Sequence, residues 1–167
     1  WLMQHEYLEK ILKRNFPNLM VFDYSSTVVG VFSKAVGLVD NLPELKFNRT
    51  KNNFSKQKIF QIGFNKAGTT SLAKFFLRNG IRTLHHRNGE LAKRLYLNLN
   101  SGLPVLSGLE KFTAFTDMED PHENIFGHRF FKEIYDEYPS AYYILNTRSK
   151  VSWLNSRFHH QSGLLVK

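Results

Sequence analysis

Lys66 lies inside a turn bounded by Gly63 and Gly68, and three hydroxyl residues follow at once: Thr69, Thr70 and Ser71. Residues 58–62 before the turn are apolar and β-rich, and residues 69–79 after it have helical spacing. A strand, a tight turn and a helix in that order converge backbone N–H groups on one point. The helix N-terminus adds unpaired donors and partial positive charge, so the whole makes an anion cradle. Lys66 supplies a full positive charge within it. The spacing of the two glycines matches the nucleotide-hydrolase pattern G-x-x-x-x-G-K-[ST], but Thr69 stands where that pattern has lysine. An NTPase or kinase needs the later lysine on its β- and γ-phosphates. The turn therefore predicts a phosphate cradle of related shape and different chemistry. A P-loop small-molecule kinase is the alternative enzyme.

Further along, Arg148 ends the β-rich run Tyr143-Ile144-Leu145-Asn146-Thr147. Ser156 follows eight residues later on a helical stretch. Arginine presents a two-pronged fork to a phosphate, and a serine on the facing helix can donate one more bond.

The elements that must position these residues alternate. Strands are expected over 58–62, 81–84, 112–116 and 141–146, and helices over 69–79, 89–99, 126–138 and 151–160. That alternation argues for an α/β fold with a mainly parallel sheet. Upstream, 19–23 is a short apolar run expected to be a buried strand of the same sheet. Helices are expected over 2–13 and 28–36, and 40–57 reads as a loop or linker.

With the glycine turn and the Arg148–Ser156 pair in that order, the chain resembles the PAPS-dependent sulfotransferases, where PAPS is 3′-phosphoadenosine 5′-phosphosulfate. Lys66-Ala67-Gly68-Thr69-Thr70-Ser71-Leu72 is similar to that family's 5′-phosphosulfate loop, and Arg148 with Ser156 to its 3′-phosphate motif. The likeness covers roughly residues 57 to 160 and is to the compact bacterial-type branch. It implies a P-loop-like three-layer α/β/α domain that takes PAPS, releases PAP and requires no metal. It implies that Lys66 contacts the bridging oxygen and sulfuryl group, and that Gly68, Thr69, Thr70 and Ser71 hold the 5′-phosphate. The acceptor would be a small molecule, a carbohydrate or another hydroxyl or amine compound. The family's general base lies at the end of the strand preceding the 3′-phosphate strand. Here that place reads Thr116-Asp117-Met118-Glu119-Asp120-Pro121-His122. Asp117 is favoured, with His122 and Asp120 as alternatives. His85-His86-Arg87, after the second strand, could line an acceptor pocket or form a plain polar loop.

The order of the pieces is unusual. Residues 1–50, including Phe47-Asn48-Arg49, resemble the last third of a sulfotransferase domain, 51–57 a linker, and 58–167 its first part. A fragment of a tandem array and a circular permutant both account for that order. Trp1 falls inside a helical pattern, which favours a fragment.

Composition narrows the alternatives. With 42% hydrophobic and 14% aromatic residues, the chain is too apolar for disorder. It has no Cys, which excludes a disulfide scaffold, a Cys-ligated zinc site and a thiol nucleophile. The same absence fits a reducing compartment, and a cytoplasmic location is expected. The net charge of +9 calls for an anionic partner. A basic nucleic-acid-binding module is the non-enzyme alternative. Basic residues are scattered, however, and no aromatic–basic signature accompanies them. No apolar stretch approaches the roughly 18 residues that a membrane helix needs.

Overall fold

The computed structural model describes residues 14, 19–23 and 57–160. The helices expected over 2–13 and 28–36, and the linker over 40–56, lie outside the described residues.

Among the described residues, the core is a five-stranded parallel sheet of order β1-β7-β2-β4-β3. Its strands are β1 (Leu19–Asp23), β2 (Ile59–Gln61), β3 (Thr83–His85), β4 (Ala114–Thr116) and β7 (Tyr142–Thr147). The expected strand over 19–23 does join this sheet, pairing along its whole length with β7 from Leu19↔Tyr143 to Asp23↔Thr147. Three helices link the strands from β2 to β7: α1 (Thr69–Arg78), α2 (Glu90–Asn100) and α3 (Phe131–Glu137). Helix α4 (Lys150–Phe158) follows β7.

Side-chain alternation along the strands builds the layers. Phe60, Phe115, Tyr143 and Leu84 face one way and pack with Leu91 and Leu95 of α2 and Ile134 of α3. Their neighbours Ile59, Ala114 and Ile144 face the other way, onto Leu72, Phe75 and Phe76 of α1. The result is an α/β/α sandwich. Phe60 is its pivot: its ring stacks on Phe115 at 5.2 Å and on Tyr143 at 5.6 Å. Burial of one such ring contributes about 1.5–3 kcal/mol, and this stack fixes the lateral spacing of β4, β2 and β7. Tyr143 spends its hydroxyl on the Tyr138 carbonyl, at 2.8 Å.

One expectation is corrected. The helix expected over 126–138 begins only at Phe131. A two-residue strand β5 (Glu119–Asp120) pairs antiparallel with β6 (Ile125–Phe126), and a 3₁₀ turn over Gly127–Phe130 follows. Gly127 donates its N–H to the Met118 carbonyl at 2.7 Å. That contact pins the segment to the end of β4 before a helix can start. Among the described residues, no helix is long and apolar enough to cross a membrane.

Candidate functional site

Parallel strands all end at one edge of a sheet, and the residues just beyond those ends are where α/β folds gather ligands. Here the register aligns β2 with β4 and with β7, so the segments after Gln61, Thr116 and Thr147 emerge side by side. They carry the glycine turn, Asp117 and Arg148. His85 closes the same edge, opposite Thr116.

All the residues expected at the site line one cleft of about 780 Å³ along this edge. Lys66, Gly68, Thr69, Thr70 and Ser71 come from the turn and the start of α1. Arg148 comes from the end of β7, and Ser156 from α4. Asp117 and His122 enter from the segment after β4, as does Asp120. His85 and His86 also reach the cleft, whereas Arg87 pairs with Glu90 at 3.0 Å.

The turn is held in a tight shape. Gly68, which caps α1, has φ +89°, and Lys66 adopts φ +61°, a left-handed conformation uncommon outside glycine. Arg148 Nη1 donates to the Lys66 carbonyl at 3.0 Å, which staples the two anion motifs together across 82 residues of sequence. Lys66 Nζ donates to His160 Nδ1 at 3.1 Å. Asn65 is clamped from three sides. The Trp153 indole N–H donates to its carbonyl and Arg157 to its side-chain oxygen, both at 2.9 Å. Its own N–H reaches Glu119 Oε1 at 3.3 Å.

The acidic segment divides its labour. Asp117, half-buried and also left-handed at φ +57°, accepts a bond from the Thr69 hydroxyl at 3.2 Å. Asp120 is buried and committed. It caps the Pro121–Glu123 turn by accepting the His122 N–H at 3.2 Å, and it pairs with Lys93 at 3.4 Å. His122 itself is exposed. Glu119 is buried, and burial followed by the nearby charge of Asp117 pushes its carboxyl up to about 7. His85 bridges Thr116 Oγ1 at 2.9 Å and Thr70 Oγ1 at 3.3 Å. Burial lowers the pKa of His85, against the pull of Asp117, so it favours the neutral imidazole.

Some participants escape a reading of the sequence. Gln61, Asn65, Glu119 and Asn146 look like ordinary polar positions beside strands, yet all four are buried at the site. A polar residue at the end of an otherwise apolar strand was the only signal available. His160 and Lys93 also line the cleft or brace its wall, and no motif marks them.

Together these groups offer a turn rich in donors, an ammonium, a guanidinium and a carboxylate within one cleft. That set can hold two anionic groups and accept a proton nearby. No curated protein and no solved structure matches the chain. The family model described as "Sulfotransferase domain" matches residues 58–162, more than half of the chain and every residue named above as lining the cleft, and the chain belongs to that family.

Proposed function

We propose that the chain transfers a sulfuryl group from PAPS to a hydroxyl or amine acceptor, a small molecule or a carbohydrate. The observation that carries this reading is the convergence of the Lys66–Ser71 turn, Arg148, Ser156 and Asp117 on one cleft. The donor set suits the group. Hydroxyls, an ammonium and a guanidinium match phosphate and sulfate oxygens, and a cleft of about 780 Å³ lies within the usual size for a cofactor site. Bound PAPS supplies an activated sulfuryl group with phosphoadenosine as its leaving group.

The chain's own residues do the rest. Gly68, Thr69, Thr70 and Ser71 hold the 5′-phosphate, and Arg148 with Ser156 hold the 3′-phosphate. Lys66 neutralises charge that grows on the bridging oxygen as the S–O bond breaks. Asp117 takes the proton of the attacking acceptor. The Thr69 hydroxyl, which donates to Asp117 at 3.2 Å, would donate instead to a 5′-phosphate held in the turn, and the Asp117 carboxylate would then be open to the acceptor. Asp120 is a poor base because its oxygens are already engaged by Lys93 and the His122 N–H. His122 stands at the cleft wall as the alternative base.

PAP should bind more tightly than ADP, which lacks a 3′-phosphate for Arg148 and Ser156. A charge-assisted bond is worth about 1.5–3 kcal/mol, or roughly 10–150-fold in affinity. Calorimetry on the full chain checks this, and equal affinities for PAP and ADP would overturn the reading. Sulfuryl transfer that persists in EDTA supports it further, whereas Mg²⁺-dependent phosphoryl transfer from ATP would favour the kinase.

A further inference from the structure

We infer that Gln61 and Asn146 are positioning residues, whose two side-chain amides tie the phosphate turn, the base Asp117 and strand β7 into one hydrogen-bonded unit. The inference rests on the reading of the site proposed above, and it assigns work to two residues that lie behind the cleft rather than among those lining it.

Both amides are buried, Gln61 at 1% exposure and Asn146 at 6%. A buried amide has to find partners for its donors and its acceptor. Gln61 Oε1 accepts the Asp117 N–H at 2.9 Å. Gln61 Nε2 donates to the Gly63 carbonyl at 2.5 Å and to Asn146 Oδ1 at 2.5 Å. Asn146 Nδ2 passes the chain on to the Ala67 carbonyl at 2.6 Å. Only one orientation of each amide works. Flipping Gln61 would set Nε2 against the Asp117 N–H, donor facing donor. Flipping Asn146 would set its nitrogen against Gln61 Nε2 and its oxygen against the Ala67 carbonyl.

Two consequences follow for the site. Asp117 holds a left-handed backbone conformation, which a non-glycine residue keeps only where its surroundings fix it. The bond from its N–H to Gln61 is such a fixture, and it sets where the carboxylate points. On the turn, Lys66 and Ala67 direct successive carbonyls to Arg148 and Asn146 of the neighbouring chain segment. In a trans peptide the N–H points opposite to the C=O. The N–H groups of Ala67 and Gly68 are therefore turned away from the Arg148 guanidinium and the Asn146 amide respectively, free of those carbonyl contacts as an anion cradle requires. Gly63 permits the close approach, since a Cβ there would overlap the backbone and side-chain oxygens of Asn146.

The test compares wild type with Gln61→Glu and Asn146→Asp, both close in shape. Gln61→Glu keeps an oxygen for the Asp117 N–H but removes the donor to Asn146 and sets a second carboxyl beside the base. Its kcat should fall by about tenfold to a hundredfold, the scale of a small misplacement of a reacting group. The acid limb of its pH–rate profile should move to higher pH, while the Kd for PAP changes by less than about threefold. Asn146→Asp puts an acceptor against the Ala67 carbonyl and should weaken PAP by about tenfold or more. Folded variants with wild-type kcat, pH profile and Kd would overturn the inference. Amide exchange on the wild-type chain tests it without any variant or activity. The Asp117 amide should be protected as strongly as the amides of β4, and rapid exchange there would overturn it. Failure of the sulfotransferase reading would show separately, as wild-type protein that does not prefer PAP to ADP.

Discussion

At the scale of single residues, the site is a set of charges whose positions are fixed by neighbours remote in sequence. Lys66 is the sharpest case. Its backbone is left-handed, its carbonyl is taken by Arg148, and its ammonium reaches His160. A lysine held so firmly suits a role in the transition state, because a preorganised charge costs no reorganisation when the bond breaks. Lys66→Ala should therefore lower kcat by about 10²–10³-fold and change the Kd for PAP far less, since PAP lacks the sulfuryl group. Steady-state kinetics beside PAP calorimetry check this. A variant with near-normal kcat would remove the lysine from the mechanism.

At the scale of elements, much of the fold is legible in the sequence because its signals are local. The glycine turn, the helix of 69–78 and the Arg148 strand each declare themselves by apolar spacing, with Gly68 before the helix and Gly80 after it. What is illegible depends on pairing. The β5–β6 ladder needs Glu119 opposite Phe126 and Asp120 opposite Ile125, and nothing in either dipeptide announces a strand. The Gln61–Asn146 contact joins two strands 85 residues apart in sequence. β1 falls between these cases: its five apolar and polar residues read as a strand, but only pairing with β7 makes it part of this sheet. An edge strand cannot keep its backbone bonds without that partner. The amides of β1 that face β7 should thus exchange about as slowly as those of β2. Exchange at unfolded-chain rates over Leu19–Asp23 would leave β7 as the edge of a four-stranded sheet.

At the scale of the whole molecule, the site's electrostatics bear on stability. Glu119 is buried beneath the turn; among the described residues its Oε2 has no hydrogen-bond partner, and His128 Nδ1 lies 3.9 Å from its other oxygen. Burial and the neighbouring charge of Asp117 raise its carboxyl from 4.5 to about 7. The folded protein therefore holds this proton more tightly than the unfolded chain does. The stability so gained is complete below the unfolded value and is lost as pH rises towards about 7. The gap, at about 1.4 kcal/mol per pH unit, amounts to about 3 kcal/mol. His85 and His128 act in the opposite sense, since burial depresses both. They remove stability as pH falls below their ordinary range near 6.5. Wild type alone would thus show a compound profile, and the comparison with Glu119→Gln isolates the carboxyl. Glutamine keeps an oxygen for the Asn65 N–H and carries no charge at any pH. The variant should gain on wild type between pH 5 and pH 8, by up to about 3 kcal/mol in urea-unfolding free energy. A wild-type-minus-variant difference that stays flat across that range would show that the Glu119 carboxyl is not held protonated in the fold.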